Sequence, residues 1–200
     1  MTLTRLHCAA CLRPQSVCIC AWITPTPHEA EVLILQHTLE VDHAKNSARL
    51  LHLSLPRSRM LIGETFEESA LQAAMNDVQG ESKYTVLLYP PTPEDETPGL
   101  DRARLQDSSR VQLVVLDGTW RKSRKMLHLN PLLRRLPRLS LADAPLSNYL
   151  IRKAHKPGQL STLEASCAAL AQLEGNAEKY QPLLKAFDGF VARQLAFVPT

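Results

Sequence analysis

The feature that most constrains this chain is a series of short apolar runs separated by segments with helical spacing. The runs are 32–35 (VLIL), 60–62 (MLI), 85–88 (TVLL) and 111–116 (VQLVVL), with a fifth candidate at 138–141 (RLSL). The first four are nearly continuous rather than alternating, as in strands covered on both faces. Helical spacing marks 46–53, 67–75, a segment starting after Thr119, 163–173 and 179–197, the last with Pro182 tolerable only in its first turn. Ser161 and Glu164 form a capping-box pattern before 163–173. Strands alternating with helices predict an α/β domain with a mostly parallel sheet and flanking helices. Such sheets bind ligands at the edge where loops leave the strand C-termini. The stretch 90–99 (PPTPEDETPG) is a loop by composition.

Two hundred residues, 44% hydrophobic and 22% charged, suffice for one soluble domain with a small appendage. The appendage is residues 1–23, the main domain residues 28–200, and Thr24-Pro-Thr-Pro a stiff link between them. No apolar run approaches the ~20 residues of a membrane span. The first residues, MTLTRLHCAAC, lack a signal peptide's apolar core. The expected setting is therefore cytoplasmic, with no membrane partner.

The appendage carries Cys8, Cys11, Cys18 and Cys20 in the pattern C-x2-C-x6-C-x-C. Four thiols so close together in a reducing compartment suit one tetrahedral, structural Zn2+. A redox pair, free thiols and an iron–sulfur cluster are the other readings, and His7 is a further candidate ligand. Cys167 falls inside an amphipathic helix and reads as core.

Charge is segregated beyond what the net +3 suggests. Residues 64–107 hold ten acids and three Lys/Arg, whereas 119–160 hold ten Lys/Arg and one acid, Asp143. A basic block of this kind fits either a solvated face or a surface that meets a polyanion. At its start stands LDGTWRKSRKM, 116–126, where a buried strand ends in an acid, a glycine, a hydroxyl and an indole. Thr119 is a good N-cap. A helix starting there puts Arg121, Arg124, Lys125 and His128 on one face and Trp120, Ser123 and Leu127 on another. Asp117 then sits at the strand's end as a capping carboxylate, a base or a substrate-orienting group. Trp120 is core or the wall for a flat ring.

Further polar handles occupy 147–165. Ser147, Tyr149 and Arg152 precede Gly158 and the pair Ser161-Thr162 at a helix start. A helix N-terminus with hydroxyls and free N–H groups suits a carboxylate or phosphate. His37 with Glu40, followed by Asn46-Ser47-Ala48-Arg49, forms a third polar group.

Together these motifs resemble the DTW-domain family, similar to tRNA-uridine aminocarboxypropyltransferases. DGTW at 117–120 fits its D-x-T-W signature, SNYLIR at 147–152 its S-x-Y-x-x-R element and STLEA at 161–165 its S-T-x-E-A element. NSARL at 46–50 is similar to its N-T-G-R-L element, with Ser47 and Ala48 departing from it. LLYP at 87–90 resembles its strand ending in an aromatic–proline pair. The N-terminal cysteines are similar to those of its bacterial branch. The likeness runs over roughly 8–173.

The resemblance implies a SPOUT-like knotted core and S-adenosylmethionine as donor substrate. The reaction it implies is transfer of the 3-amino-3-carboxypropyl group to N3 of a tRNA uridine, with methylthioadenosine released. Asp117 is then the candidate catalytic residue. The implied donor site is Leu88, Tyr89, Pro90, Leu116, Gly118, Thr119, Trp120, Ser147, Tyr149, Ser161 and Thr162. Arg121, Arg124, Lys125, Arg152, Lys153 and Lys156 are the candidate tRNA contacts. A SPOUT-class RNA methyltransferase and a non-catalytic zinc-containing RNA-binding module are the competing readings. Related knotted enzymes often form homodimers, though no interface signature is visible in this sequence.

Overall fold

Strand β4 (Val111–Asp117) lies at the middle of the sheet, and the rest of the chain is arranged around it. Its neighbours are β1 (Glu31–Gln36) and β3 (Tyr84–Leu88), with β2 (Ser58–Ile62) and β5 (Arg138–Leu139) at the edges. The order is β2-β1-β4-β3-β5 and every pairing in the sheet is parallel. This is a computed structural model, and it describes residues 6–76, 83–91, 97–141 and 160–196. The chain builds β1 and β2 on one side, crosses to β3, and then inserts β4 between β1 and β3. That reversal opens a crevice at the strand C-termini, the usual ligand position in doubly wound sheets.

Alternate residues of the central strands feed two cores. Val32, Ile34, Val111, Leu113 and Val115 face α1 (Ala48–Ser54), α5 (Thr162–Glu174) and α6 (Gln181–Ala196). Leu33, Leu35, Leu87 and Val114 face α2 (Glu68–Met75), α3 (Trp120–Leu129) and α4 (Pro131–Arg134). Burial on both faces explains why β1 and β4 read as continuous apolar runs. Helix α4 was not expected from periodicity. It is one turn long, with Pro131 in its first turn, too short to show a 3.6-residue pattern. Among the described residues, no helix is long and apolar enough to cross a membrane.

The cysteine segment packs against the sheet's first core. Cys11 and Ile19 are fully buried there with Val32 and Phe190, as is Cys167 of α5, whose thiol burial pushes up to about 12. Trp22 meets Phe190 edge-on at 6.0 Å, and the Arg193 guanidinium lies 5.2 Å from the Trp22 ring. Gly189 of α6 is where the helix admits this indole: a Cβ there would fall 2.9 Å from Trp22 Nε1 and 3.3 Å from Cδ1. Replacing a helical glycine with alanine ordinarily gains about 1 kcal/mol. Here the added methyl must displace a packed ring, and overpacking costs about 1–3 kcal/mol. Gly189→Ala is therefore expected to lower the urea midpoint. A raised midpoint would show that Trp22 yields freely.

Candidate functional site

The site is organised by one buried carboxylate. Asp117 is the last residue of β4 and is 3% exposed. Its strand position turns it to the face shared with α1 and α5, in register with Gln36 of β1. Gln36 Nε2 and Asn46 Nδ2 donate to Oδ2 at 2.9 and 2.6 Å, and the Thr162 hydroxyl donates to Oδ1 at 2.6 Å. Gln36 also donates to Asn46 Oδ1 at 3.2 Å. A buried carboxylate needs such charge-assisted partners, and here they come from β1, the loop before α1 and the start of α5. Helix capping is thus not the role of Asp117.

Thr119 supplies the cap of α3, its hydroxyl accepting from the Lys122 N–H at 3.4 Å. Gly118 lets that first turn come close: a Cβ there would lie 3.1 Å from the Lys122 Cβ and 3.6 Å from the His37 Cβ. The α5 start has the capping box read from Ser161 and Glu164. Its N–H groups are less available than the sequence suggested. The Ser161 N–H donates to Glu164 Oε2, the Glu164 N–H to Ser161 Oγ and the Leu163 N–H to Ser47 Oγ. Three of the first four N–H groups at this helix start are thus engaged by the protein, and the Ser161 and Thr162 side chains reach the cavity described next.

Between the α3 and α5 N-termini, over the ends of β3, β4 and β5, is a cavity of about 360 Å³. That is a size typical of small-molecule sites. Its walls include Leu88, Tyr89, Pro90, Leu116, Gly118, Trp120, Ser161 and Thr162 from the set read in sequence. Thr119 is not on the wall. Ser147 and Tyr149, with Arg152, Lys153, Lys156 and Gly158, lie outside the described residues. Leu141 and Leu160, which flank 142–159 in sequence, line the cavity. Trp120 is 53% exposed and meets Tyr89 edge-on at 5.6 Å, so it is a wall rather than core. Asp117 does not line the cavity. Thr162, which does, carries the contact between them.

Sequence reasoning missed several members of this site. Val115, Ser123, Leu139, Leu141, Leu160 and Ala165 complete the cavity wall. Gln36, an amide ending an aliphatic strand, was the visible signal for the carboxylate's partner. Its pairing with Asp117 needed the β1–β4 register.

Arg121, Arg124 and His128 of α3 are exposed as the helical spacing required. Lys125 is exposed too, but its Nζ sits 2.8 Å from Glu64 Oε2, and Lys122 turns back to the buried Glu40 at 2.8 Å. Lys125, with His37, holds the Glu64 carboxyl below its usual range. His37 Nδ1 accepts from the Leu39 N–H, so the proton on Nε2 points at Glu64 Oε1, 2.8 Å away. Two of the four clustered cations are thus tied to acids.

On the α5–α6 side, the sulfurs of Cys8, Cys11, Cys18 and Cys20 lie within 4.8 Å of one another. The Cys8–Cys20 and Cys11–Cys18 separations are 3.5 and 3.7 Å. Four sulfurs at about 2.3 Å from a tetrahedral zinc stand roughly 3.8 Å apart, so the donor set fits that ion. Backbone N–H groups of Cys11 and Ala10 bring Cys8 down to about 6, while neighbouring Cys18 and Cys8 push Cys20 up to about 12. Four adjacent thiolates require a cation to be stable together. His7 is exposed and outside this group.

The hydrogen bonds to Asp117 carry a stability prediction. Asp117→Ala strips the acceptor from Thr162 Oγ1 and Asn46 Nδ2, at about 1–3 kcal/mol for each buried group left unpaired. Asp117→Asn keeps an oxygen for Gln36 and Asn46 and offers an amide to a hydroxyl that can also accept. In urea unfolding the alanine variant should lose at least about 2 kcal/mol and the asparagine variant about 1 or less. Equal losses would mean that the donors do not depend on this carboxyl.

The DTW domain matches residues 5–195. The chain is 31% identical over 196 residues to tRNA-uridine aminocarboxypropyltransferase 2 of Drosophila melanogaster, covering 96% of this chain and 76% of that protein. It is 30% identical to the protein of that name from Mus musculus, covering 96% and 64% of the two chains. Identity to tRNA-uridine aminocarboxypropyltransferase A of Arabidopsis thaliana is 25%, over 88% and 76%. No solved structure matches the chain. With the D-x-T-W residues at the centre of the site and the match running almost end to end, the chain belongs to the DTW-domain family.

Proposed function

We propose that this protein is a tRNA-modifying transferase that moves the 3-amino-3-carboxypropyl group of S-adenosylmethionine to N3 of a uridine in tRNA. The observation that carries the reading is the aromatic-walled cavity beside Asp117, built from the D-x-T-W and S-T-x-E-A residues of a family whose relatives bear that name. In the transfer, N3 loses its proton to solvent water and its electron pair attacks the γ-carbon of the donor. The carbon–sulfur bond breaks, its electrons stay on sulfur, and the sulfonium leaves as neutral methylthioadenosine. Three carbons on sulfur are open to attack, so the outcome depends on which one faces N3 at near-attack distance.

On this reading the adenosine and thioether lie against Leu88, Tyr89, Leu116 and Trp120, and the amino-acid end meets the hydroxyls of Ser161 and Thr162. Ser147 and Tyr149 complete the donor site. Arg121, Arg124, Arg152, Lys153 and Lys156 grip tRNA phosphates, while Lys125, expected among them, is held by Glu64. Zinc held by Cys8, Cys11, Cys18 and Cys20 is structural, within an appendage of residues 1–23 on a catalytic domain of 28–200. A SPOUT-like knotted core and a cytoplasmic setting belong to the same proposal.

Asp117 acts by position rather than as the base. Both of its oxygens are already engaged, and Thr162 stands between it and the cavity. General-base help is typically worth about 10²–10⁴-fold. Asp117→Asn should therefore keep kcat within about tenfold of wild type, and a hundredfold loss in a folded variant would make the carboxylate the base.

The transfer itself is tested with unmodified tRNA and donor labelled separately in the methyl and the aminocarboxypropyl carbons. Label should enter RNA only from the latter, with methylthioadenosine released in equal amount. Label entering only from the methyl group would make the protein a methyltransferase. Binding without either transfer would make it an RNA-binding module.

A further inference from the structure

A single arginine joins the cysteine segment to the carboxylate at the heart of the site. Arg13 lies between Cys11 and Cys18, and its carbonyl accepts from the Cys8 N–H at 2.8 Å. Its guanidinium donates from Nη1 to the Ala44 carbonyl at 2.9 Å and from Nη2 to the Asn46 carbonyl at 2.8 Å. The same group lies 5.5 Å from the Phe190 ring of α6. Asn46 in turn donates its side-chain amide to Asp117 Oδ2 at 2.6 Å and accepts from Gln36 and from the Arg49 N–H.

Residues 41–44 of this loop are exposed, whereas Asn46 is 6% exposed. The forked contact to carbonyls two residues apart therefore fixes the loop where it turns inward. At its other end, Arg13 follows Leu12, whose φ is +57°, a left-handed conformation that residues with a Cβ rarely adopt. The Cys8–Cys11 turn imposes it: the Leu12 N–H donates to the Cys8 carbonyl at 2.8 Å.

We propose that Arg13 is a positioning residue for the transfer: it transmits the geometry of the four-cysteine cluster through Asn46 to Asp117, so that metal in the cluster supports turnover as well as stability. This rests on the function proposed above. Misplacing a reacting group by about 1 Å can cost on the order of a hundredfold in rate even when the cause lies far from the chemistry.

The test compares full-length wild type, Arg13→Ala and Arg13→Lys, each zinc-loaded or chelator-treated. Three readings are taken: kcat and KM for tRNA and donor, the thermal midpoint, and hydrogen exchange of amides 46–49. In the zinc-loaded state Arg13→Ala should lower kcat about ten- to hundredfold and speed exchange at 46–49, with both KM values within about twofold. Arg13→Lys should behave like the alanine variant, because an ammonium keeps the charge but not the fork. Chelation should lower wild-type kcat and add little to the loss in Arg13→Ala.

Wild-type kcat in Arg13→Ala would overturn the proposal. So would recovery by lysine, which would assign Arg13 to charge alone, or a kcat loss matched by collapse of the fold in both variants. If the wild type shows no transfer, the proposed function fails, but the exchange comparison still decides the Arg13 link. Unchanged protection at 46–49 after substitution would refute it.

Discussion

The burial of one carboxylate sets the terms for the site. Asp117 ends the central strand, where water is excluded and a charge is costly unless hydrogen-bonded donors surround it. The donors come from three places far apart in sequence: Gln36, Asn46 and Thr162. None of these segments can shift by much without unpairing a buried group. The carboxylate therefore acts as a staple between β1, the loop before α1 and the first turn of α5. Of these elements the first turn of α5 lines the cavity, so that wall is held in place by satisfying Asp117.

The strand order explains why the staple sits where it does. With β4 inserted between β1 and β3, its C-terminal end faces loops from both halves of the sheet. Toward β1, Gln36 and Asn46 meet the carboxylate. Toward β3 and β5, Tyr89, Trp120 and Leu139 line the cavity. The same end is the start of α3, so the basic helix grows directly from the site. Its cations divide into two kinds. Lys122 and Lys125 are engaged with Glu40 and Glu64, and these pairs fix the helix against the β1 and β2 loops. Arg121 and Arg124 are exposed without such a geometric role among the pairs described. On the proposed reading they are the helix's phosphate contacts, and they are arginines, whose forked donors suit phosphate oxygens.

Much of the fold was legible in sequence because its signals are local. Continuous aliphatic runs marked β1 and β4, Thr119 marked the start of α3, and Ser161 with Glu164 marked the start of α5. Elements without a local signal were lost, such as the one-turn α4. The site was legible as a set of motifs but not as a mechanism. Asp117 read equally as cap, base or orienting group, because spacing does not say which way a strand-end side chain turns or what waits for it there. Only the β1–β4 register and the return of α5 show that three donors converge on it. The α5 N-terminus is the reverse case. A start rich in Ser and Thr looked open to an anion, yet the capping box and Ser47 engage the Ser161, Leu163 and Glu164 N–H groups. The same residue types that advertise a binding site also satisfy a helix end.

A carboxylate held this way is poorly suited to shuttling protons and well suited to fixing a hydroxyl. Thr162 gives its hydrogen to Asp117, which leaves the hydroxyl's oxygen lone pairs, and not its proton, for whatever enters the cavity. Ser161 is placed the other way. Its oxygen accepts from the Glu164 N–H, so its proton remains for an incoming acceptor. Adjacent side chains thus present one acceptor and one donor at the cavity wall. An α-amino acid end has the matching pair, an ammonium that donates and a carboxylate that accepts. On the proposed reading, this polarity distinguishes the aminocarboxypropyl arm of the donor from its methyl. The methyl can make neither contact, so the arm is anchored by its far end while its γ-carbon is turned toward the nucleophile. On that proposal, selection of the transferred group is a consequence of how Asp117 is buried.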